Sequence, residues 1–170
     1  MKNLLFLLSL LPLLSNCQTE KASVSKYPAQ VGDILFDKRT DDPNFKRCIP
    51  ENKYAYQYYN DSKGFQYKGE KLAIIEKLAK TDLTADGKFN GYIVVRFLVN
   101  CEGKTDLFRV KQIDSEYHEV NQDNQLKDKL LSFTKSLDAW IPKEIEGKKI
   151  DYYQYINYKI VDGKVSEILP

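Results

Sequence analysis

The chain has 170 residues, with 26 basic and 24 acidic side chains, one histidine, three cysteines and a formal charge of +2 at pH 7. Acidic and basic residues are intermixed, so no basic block or stripe is offered to nucleic acid or to anionic lipid. The one histidine, His118, sits in a polar stretch with no nucleophile or second ligand at metal-site spacing. There is no Gly-rich phosphate loop or Ser-centred elbow, so the expectation is a non-enzyme without cofactor or metal.

Lys2 precedes an almost unbroken apolar run over residues 4–14, interrupted by Ser9 and Pro12. Crossing a bilayer takes about 20 apolar residues, so this run has the length of a signal-peptide core instead. It ends in Leu14-Ser15-Asn16-Cys17, which resembles a lipobox, the signal at which bacterial lipoproteins are diacylated on the cysteine and cut just before it. The resemblance implies a signal peptide over residues 1–16 and a lipid on Cys17. It also implies a place in the cell envelope, at the outer membrane, with the domain in the periplasm or at the surface. The alternative is an ordinary secretory signal in which Cys17 is incidental. Cleavage would leave 154 residues, enough for one domain but hardly for two, and would lower the formal charge to +1. Membrane affinity would come from the acyl chains, at about 0.8 kcal/mol per buried methylene.

Residues 18–30 are polar, small and weakly patterned, as a tether with a maximum reach of roughly 45 Å should be. A single globular domain is expected over residues 31–170, with a turn at residues 41–44. Tyr54, Tyr56, Tyr58 and Tyr59 then crowd together. The alternation of the first three suits one packed face of a strand, while the rings could also form a stacking platform for sugar or another small ligand. Over residues 69–80, Leu72, Ile75, Leu78 and Ala79 fall at helical spacing. Residues 81–91 form a polar loop in which Asp82, Thr84, Asp86 and Gly87 imitate the start of a calcium loop. Its twelfth position is Ile93 where a bidentate glutamate belongs, so Asp86-Gly87 reads as a turn.

The clearest strand runs over residues 91–101, with Ile93, Val95, Phe97, Val99 and Cys101 on one face. After a turn at residues 102–104, a partner strand over 105–113 points Phe108 and Val110 inward. Residues 122–137 return to helical period through Leu126, Leu130, Phe133 and Leu137, and Pro142 closes that helix. A third strand over 150–160 sets Tyr152, Ile156, Tyr158 and Ile160 on one face. Asp162-Gly163 is a strong hairpin signal, which lets residues 165–169 return as a fourth strand. This order predicts an α+β domain, a small antiparallel sheet of three to four strands with helices packed on one face.

With Cys17 assigned to lipid, Cys48 and Cys101 remain as an even pair that invites a disulfide. The bridge would close a loop of about 50 residues and stabilise the fold by roughly 4 kcal/mol. Two buried thiols that never meet are the alternative, because spacing alone does not bring two α-carbons within about 7 Å.

From residue 65 to residue 160 one ordered pattern stands out: a helix, Gly91, Val95-Arg96-Phe97-Leu98-Val99, the Gly103 turn, a strand, a helix, Leu137-x-x-Trp140-x-Pro142, Gly147-Lys148, and a strand ending Tyr158-Lys159-Ile160. This pattern resembles the TonB C-terminal domain, especially the versions common in Bacteroidetes-type bacteria. The resemblance implies a small domain that binds rather than catalyses, taking a short extended peptide from an outer-membrane transporter onto a sheet edge. It maps the partner-binding strand onto Tyr152, Gln154, Ile156 and Tyr158. Val165 and Ile168 of the returning segment act either as a built-in plug of that edge or as the docking strand itself. The chain departs from TonB in having a cleavable signal and only six prolines, without the transmembrane helix and proline-rich arm that transduce energy. The expectation is thus an envelope lipoprotein that binds a neighbouring protein or extended peptide, with a link to TonB-dependent transport. The rival is a small-ligand or glycan-binding lipoprotein using residues 54–59.

Overall fold

The computed structural model describes residues 32–49, 55–57, 65–81, 83, 87–122 and 124–169. Cys17, the segment 18–30, Tyr54, Tyr58 and Tyr59 lie outside the described residues, as do Asp82, Thr84 and Asp86. In chain order the elements are α1 (Glu70–Leu78), β1 (Gly91–Val99), β2 (Thr105–Asp114), β3 (Glu119–Val120), α2 (Asn124–Lys135), β4 (Lys143–Ile145), β5 (Lys148–Ile150), β6 (Tyr152–Val161) and β7 (Lys164–Leu169). Among the described residues no helix is long and apolar enough to cross a membrane.

The fold is α+β. One antiparallel sheet has the order β3-β2-β1-β6-β7, and β4 and β5 form a separate hairpin. The sheet therefore has five strands rather than the three to four expected. The extra one, β3, is two residues long and offers no alternation to read. A side-chain turn places it: the Asp114 carboxylate accepts the N–H groups of Glu116 and His118, and the chain doubles back to pair Ile113 with Glu119.

β1 is central, and its first face carries Ile93, Val95, Phe97 and Val99, all buried. They join Leu126, Leu130, Phe133 and Leu137 of the α2 region, Ile74 of α1, and Ile156, Tyr158, Ile160 and Ile168 from the neighbouring strands in one core. Trp140 closes one end, edge-on to Phe97 and to Tyr67. The α2 stripe is the expected one, but α1 is rotated from expectation. Its fully buried residue is Ile74, while Leu72 and Ile75 are exposed. A nine-residue helix cannot bury both sides, and Ala73, Ile74 and Leu78 meet the core first. Phe108 and Val110 of β2 pack against the same core, half-buried. At Gly91 the backbone is left-handed and an added Cβ would lie 2.1 Å from the Ile113 carbonyl oxygen, so only glycine fits where β1 begins.

The second face of the sheet is also covered, which the alternation in residues 91–101 did not reveal. Arg96 and Leu98 point there and are as buried as their apolar neighbours. Opposite them β2 is irregular, its pairing shifting between Arg96 and Leu98, and Leu107 takes a left-handed φ of 57°. This bulge turns Leu107 onto the second face. There it packs with Leu98, Tyr153, Ile34 and Ala55, with Phe45 at the margin. The cover is the irregular segment 32–57, which contains no strand among its described residues beyond a single parallel bridge of Tyr56 to Tyr152. The direction expected for Tyr56 is reversed: Ala55 and Gln57 turn inward and Tyr56 is exposed.

Candidate functional site

The β6–β7 hairpin defines one edge of the sheet. Asp162 and Gly163 adopt φ values of 49° and 70°, the pair of left-handed residues that a two-residue hairpin turn demands. The turn is tied back to the sheet by Gly163 N–H donating to the Phe89 carbonyl and Asp162 N–H donating to Asn90 Oδ1, both at 2.9 Å. β7 covers the outer edge of β6 from Asn157 to Val161, and Tyr56 meets the same strand at Tyr152.

The side chains of Tyr152, Gln154, Ile156 and Tyr158 are all buried on β6. Tyr152 Oη donates to the Ile141 carbonyl at 2.8 Å, and Tyr158 Oη shares a hydrogen bond of 2.8 Å with Thr134 Oγ1. Burial pushes the Tyr158 phenol above its ordinary pKa, with the Thr134 bond acting weakly against it. These four side chains shape the core, so what β6 could offer a partner is backbone, and β7 already takes part of that. On β7, Val165 is half-buried and Ile168 enters the core.

Among the described residues no strand pairs with the outer side of β7. Beside that side lies a groove of about 500 Å³ between β7 and α1, lined by Lys71, Ile75, Leu78, Leu83, Val165 and Ile168. The reading of the sequence missed this groove. The sequence pattern carried no signal for it, because helical spacing put Ile75 on the apolar stripe, whereas Ile74 is buried and Ile75 stays exposed at the groove margin.

A second constellation fastens segment 32–57 to the sheet. Cys48 and Cys101 are joined by a disulfide, with α-carbons 5.9 Å apart. Beneath it lies the fully buried Asp151, just ahead of β6. Its carboxylate accepts the N–H groups of Cys48, Ile49 and Cys101 at 3.0–3.2 Å and lies 3.7 Å from Arg47 Nε. The two sulfurs and this carboxylate fall within 4.8 Å of one another. With the sulfurs bonded to each other and the carboxylate oxygens engaged by amides, the cluster acts as a pin rather than a metal centre. Next to it, Asn100 accepts from Glu102 N–H and Lys104 N–H and donates to the Lys46 carbonyl, holding the β1–β2 turn against the same segment.

Polar contacts continue along this face. The Arg96 guanidinium stacks 4.2 Å over the Tyr153 ring and donates to the Gly32 carbonyl and to Gln57 Oε1. Tyr153 Oη accepts Ile34 N–H at 2.8 Å, and burial pushes its pKa up to about 12 despite that bond. Burial alone would raise the Asp41 carboxyl, but the Arg109 guanidinium and the Asp37 N–H outweigh it and hold it below its ordinary value. His118 is exposed, with its Nδ1 3.6 Å from Asp114 and 3.7 Å from Glu116. Comparison of the chain with protein-family models, with curated proteins and with solved structures gave no match.

Proposed function

We propose that the chain is a lipid-anchored, non-catalytic module of the bacterial envelope, akin to the TonB C-terminal domain, that takes an extended peptide segment of a neighbouring envelope protein on the outer side of β7. One observation carries the reading: β7 is a terminal strand whose outer side adjoins an apolar groove. An added strand gains affinity from backbone pairing and selectivity from alternate side chains entering a groove, and this site provides for both. The edge that the family resemblance assigns to the partner is taken in part by β7, from Asn157 to Val161, so the partner pairs with β7 instead.

Crosslinking in intact cells, with identification of the captured segment, supplies the peptide for the test. Ile75→Glu, at an exposed groove position, should weaken binding of that synthetic peptide at least tenfold without unfolding the domain. Deleting residues 164–170 should abolish binding, whereas stronger binding would show β7 to be a plug and overturn docking on its outer side. Unchanged binding in both folded variants would remove the edge-strand reading. Anchoring is tested apart from this, by fatty-acid labelling of wild type and Cys17→Ala in cells. Equal label in the two would remove the lipid. The rival, a small-ligand or glycan surface, draws support from the exposed ring of Tyr56.

A further inference from the structure

Leu35 and Phe36 are adjacent in sequence and 81% and 56% exposed, beside an Ile34 that is buried in the second-face cluster. Their exposure is imposed by the backbone. Ile34 N–H donates to Tyr153 Oη at 2.8 Å, the Leu35 carbonyl accepts from Arg109 Nη2 at 2.6 Å, and Asp37 N–H donates to Asp41 Oδ2 at 2.7 Å. A segment fixed on both sides in this way cannot fold its two apolar side chains inward. The same pair borders a recess of about 840 Å³, whose apolar lining continues through Pro43, Phe45, Ile49 and Leu107.

Gly32 is three residues upstream of Leu35 and fifteen downstream of Cys17, a maximum of about 50 Å of chain. The face that carries Gly32 therefore lies within about 50 Å of whatever holds Cys17. Charge on this face is largely balanced internally, Asp37 pairing with Arg39 and Asp41 with Arg109. An occupant is accordingly recognised by apolar contact and not by net charge.

We propose that Leu35 and Phe36 form a membrane-contacting tip, through which the domain rests on the bilayer that anchors its N-terminus. This rests on the lipid reading of Cys17. The two side chains enter the interfacial layer of the lipid, and β7, at the edge of the sheet, is left to a protein partner.

The chain from Cys17 onward has one thiol outside the disulfide, Cys17 itself, which can be coupled to a maleimide phospholipid in phosphatidylcholine vesicles. In the Phe36→Trp variant, brominated acyl chains should quench the introduced indole at least twofold more than the parent, whose buried Trp140 gives the background. The quenching should persist in high salt. Adding Leu35→Ser should reduce it, and circular dichroism should show the variants folded. Quenching no greater than the parent's overturns the proposal. So does a dimer in solution that Leu35→Ser dissociates, since a second copy would then be the occupant. Because the anchor is supplied chemically, failure of quenching counts against the membrane tip alone, whereas absence of fatty-acid label on Cys17 in cells counts against the anchor.

Discussion

On the first face of β1, Ile93, Val95, Phe97 and Val99 meet two helices through aliphatic and aromatic side chains, and shape and hydrophobicity decide what packs where. On the opposite face the cover has few apolar residues. It is fastened by a disulfide, a buried carboxylate holding three amides, an arginine between two tyrosine rings, and a phenol accepting a backbone N–H. The first kind of closure is distributed, so every residue contributes some and none is indispensable. The second is concentrated at a few points, each costly to lose because its partners are left buried and unsatisfied. A segment with no helix or strand among its described residues can cover a sheet face provided such points hold it.

If the contrast is right, replacing Cys48 and Cys101 by serine should have the largest effect, lowering stability by about 4 kcal/mol in urea unfolding. The loss should be local, so the amides of Ile34 and Tyr56 should exchange faster well before that of Val95 does. Uniform acceleration would mean that the two faces form one cooperative unit. Leu130→Ala, in the helix-covered core, should cost about 3 kcal/mol and lower protection on both faces together. Protection lost on the helix side alone would reverse the contrast. Thr134→Val leaves the Tyr158 hydroxyl buried without its partner and should cost about 1–2 kcal/mol.

The smallest effect is expected with pH. Tyr153 and Tyr158, one on each face, hold their phenolic protons more tightly folded than unfolded. Their contribution is complete below the ordinary tyrosine pKa of about 10 and is lost as pH rises above it, for Tyr153 by about 12. Urea midpoints at about pH 9 and about pH 11 should therefore differ, and Tyr153→Phe should flatten part of the difference.

The helix-covered face was readable because strict alternation over Ile93, Val95, Phe97 and Val99, and helical period over Leu126, Leu130 and Phe133, each have one physical solution. The Asp162-Gly163 turn was readable because few pairs adopt two left-handed residues at low cost. The second face was not. Arg96 in a strand reads as solvent-facing, and nothing local says that Tyr153 and Gln57 will receive it. Asp151 is one acid among many until the fold brings Cys48, Ile49 and Cys101 to it from 50 and more residues away. The β7 groove was hidden for a related reason, since the exposure of Ile75 depends on which side of α1 the sheet selects.

The disulfide also decides where a mechanical load would travel. A pull on the chain ahead of Gly32 would first have to break the contacts that Arg96, Tyr153, Arg109 and Asp106 make with residues 32–42, and the force would then reach Cys48. Beyond that point the force crosses a covalent bond to Cys101, in the turn between β1 and β2. β1 is hydrogen-bonded to neighbours on both sides, so peeling that has run as far as Cys48 is stopped at the middle of the sheet. Reduction of the bridge would let the peeling run on past Cys48, where the Asp151 carboxylate is the next point of resistance.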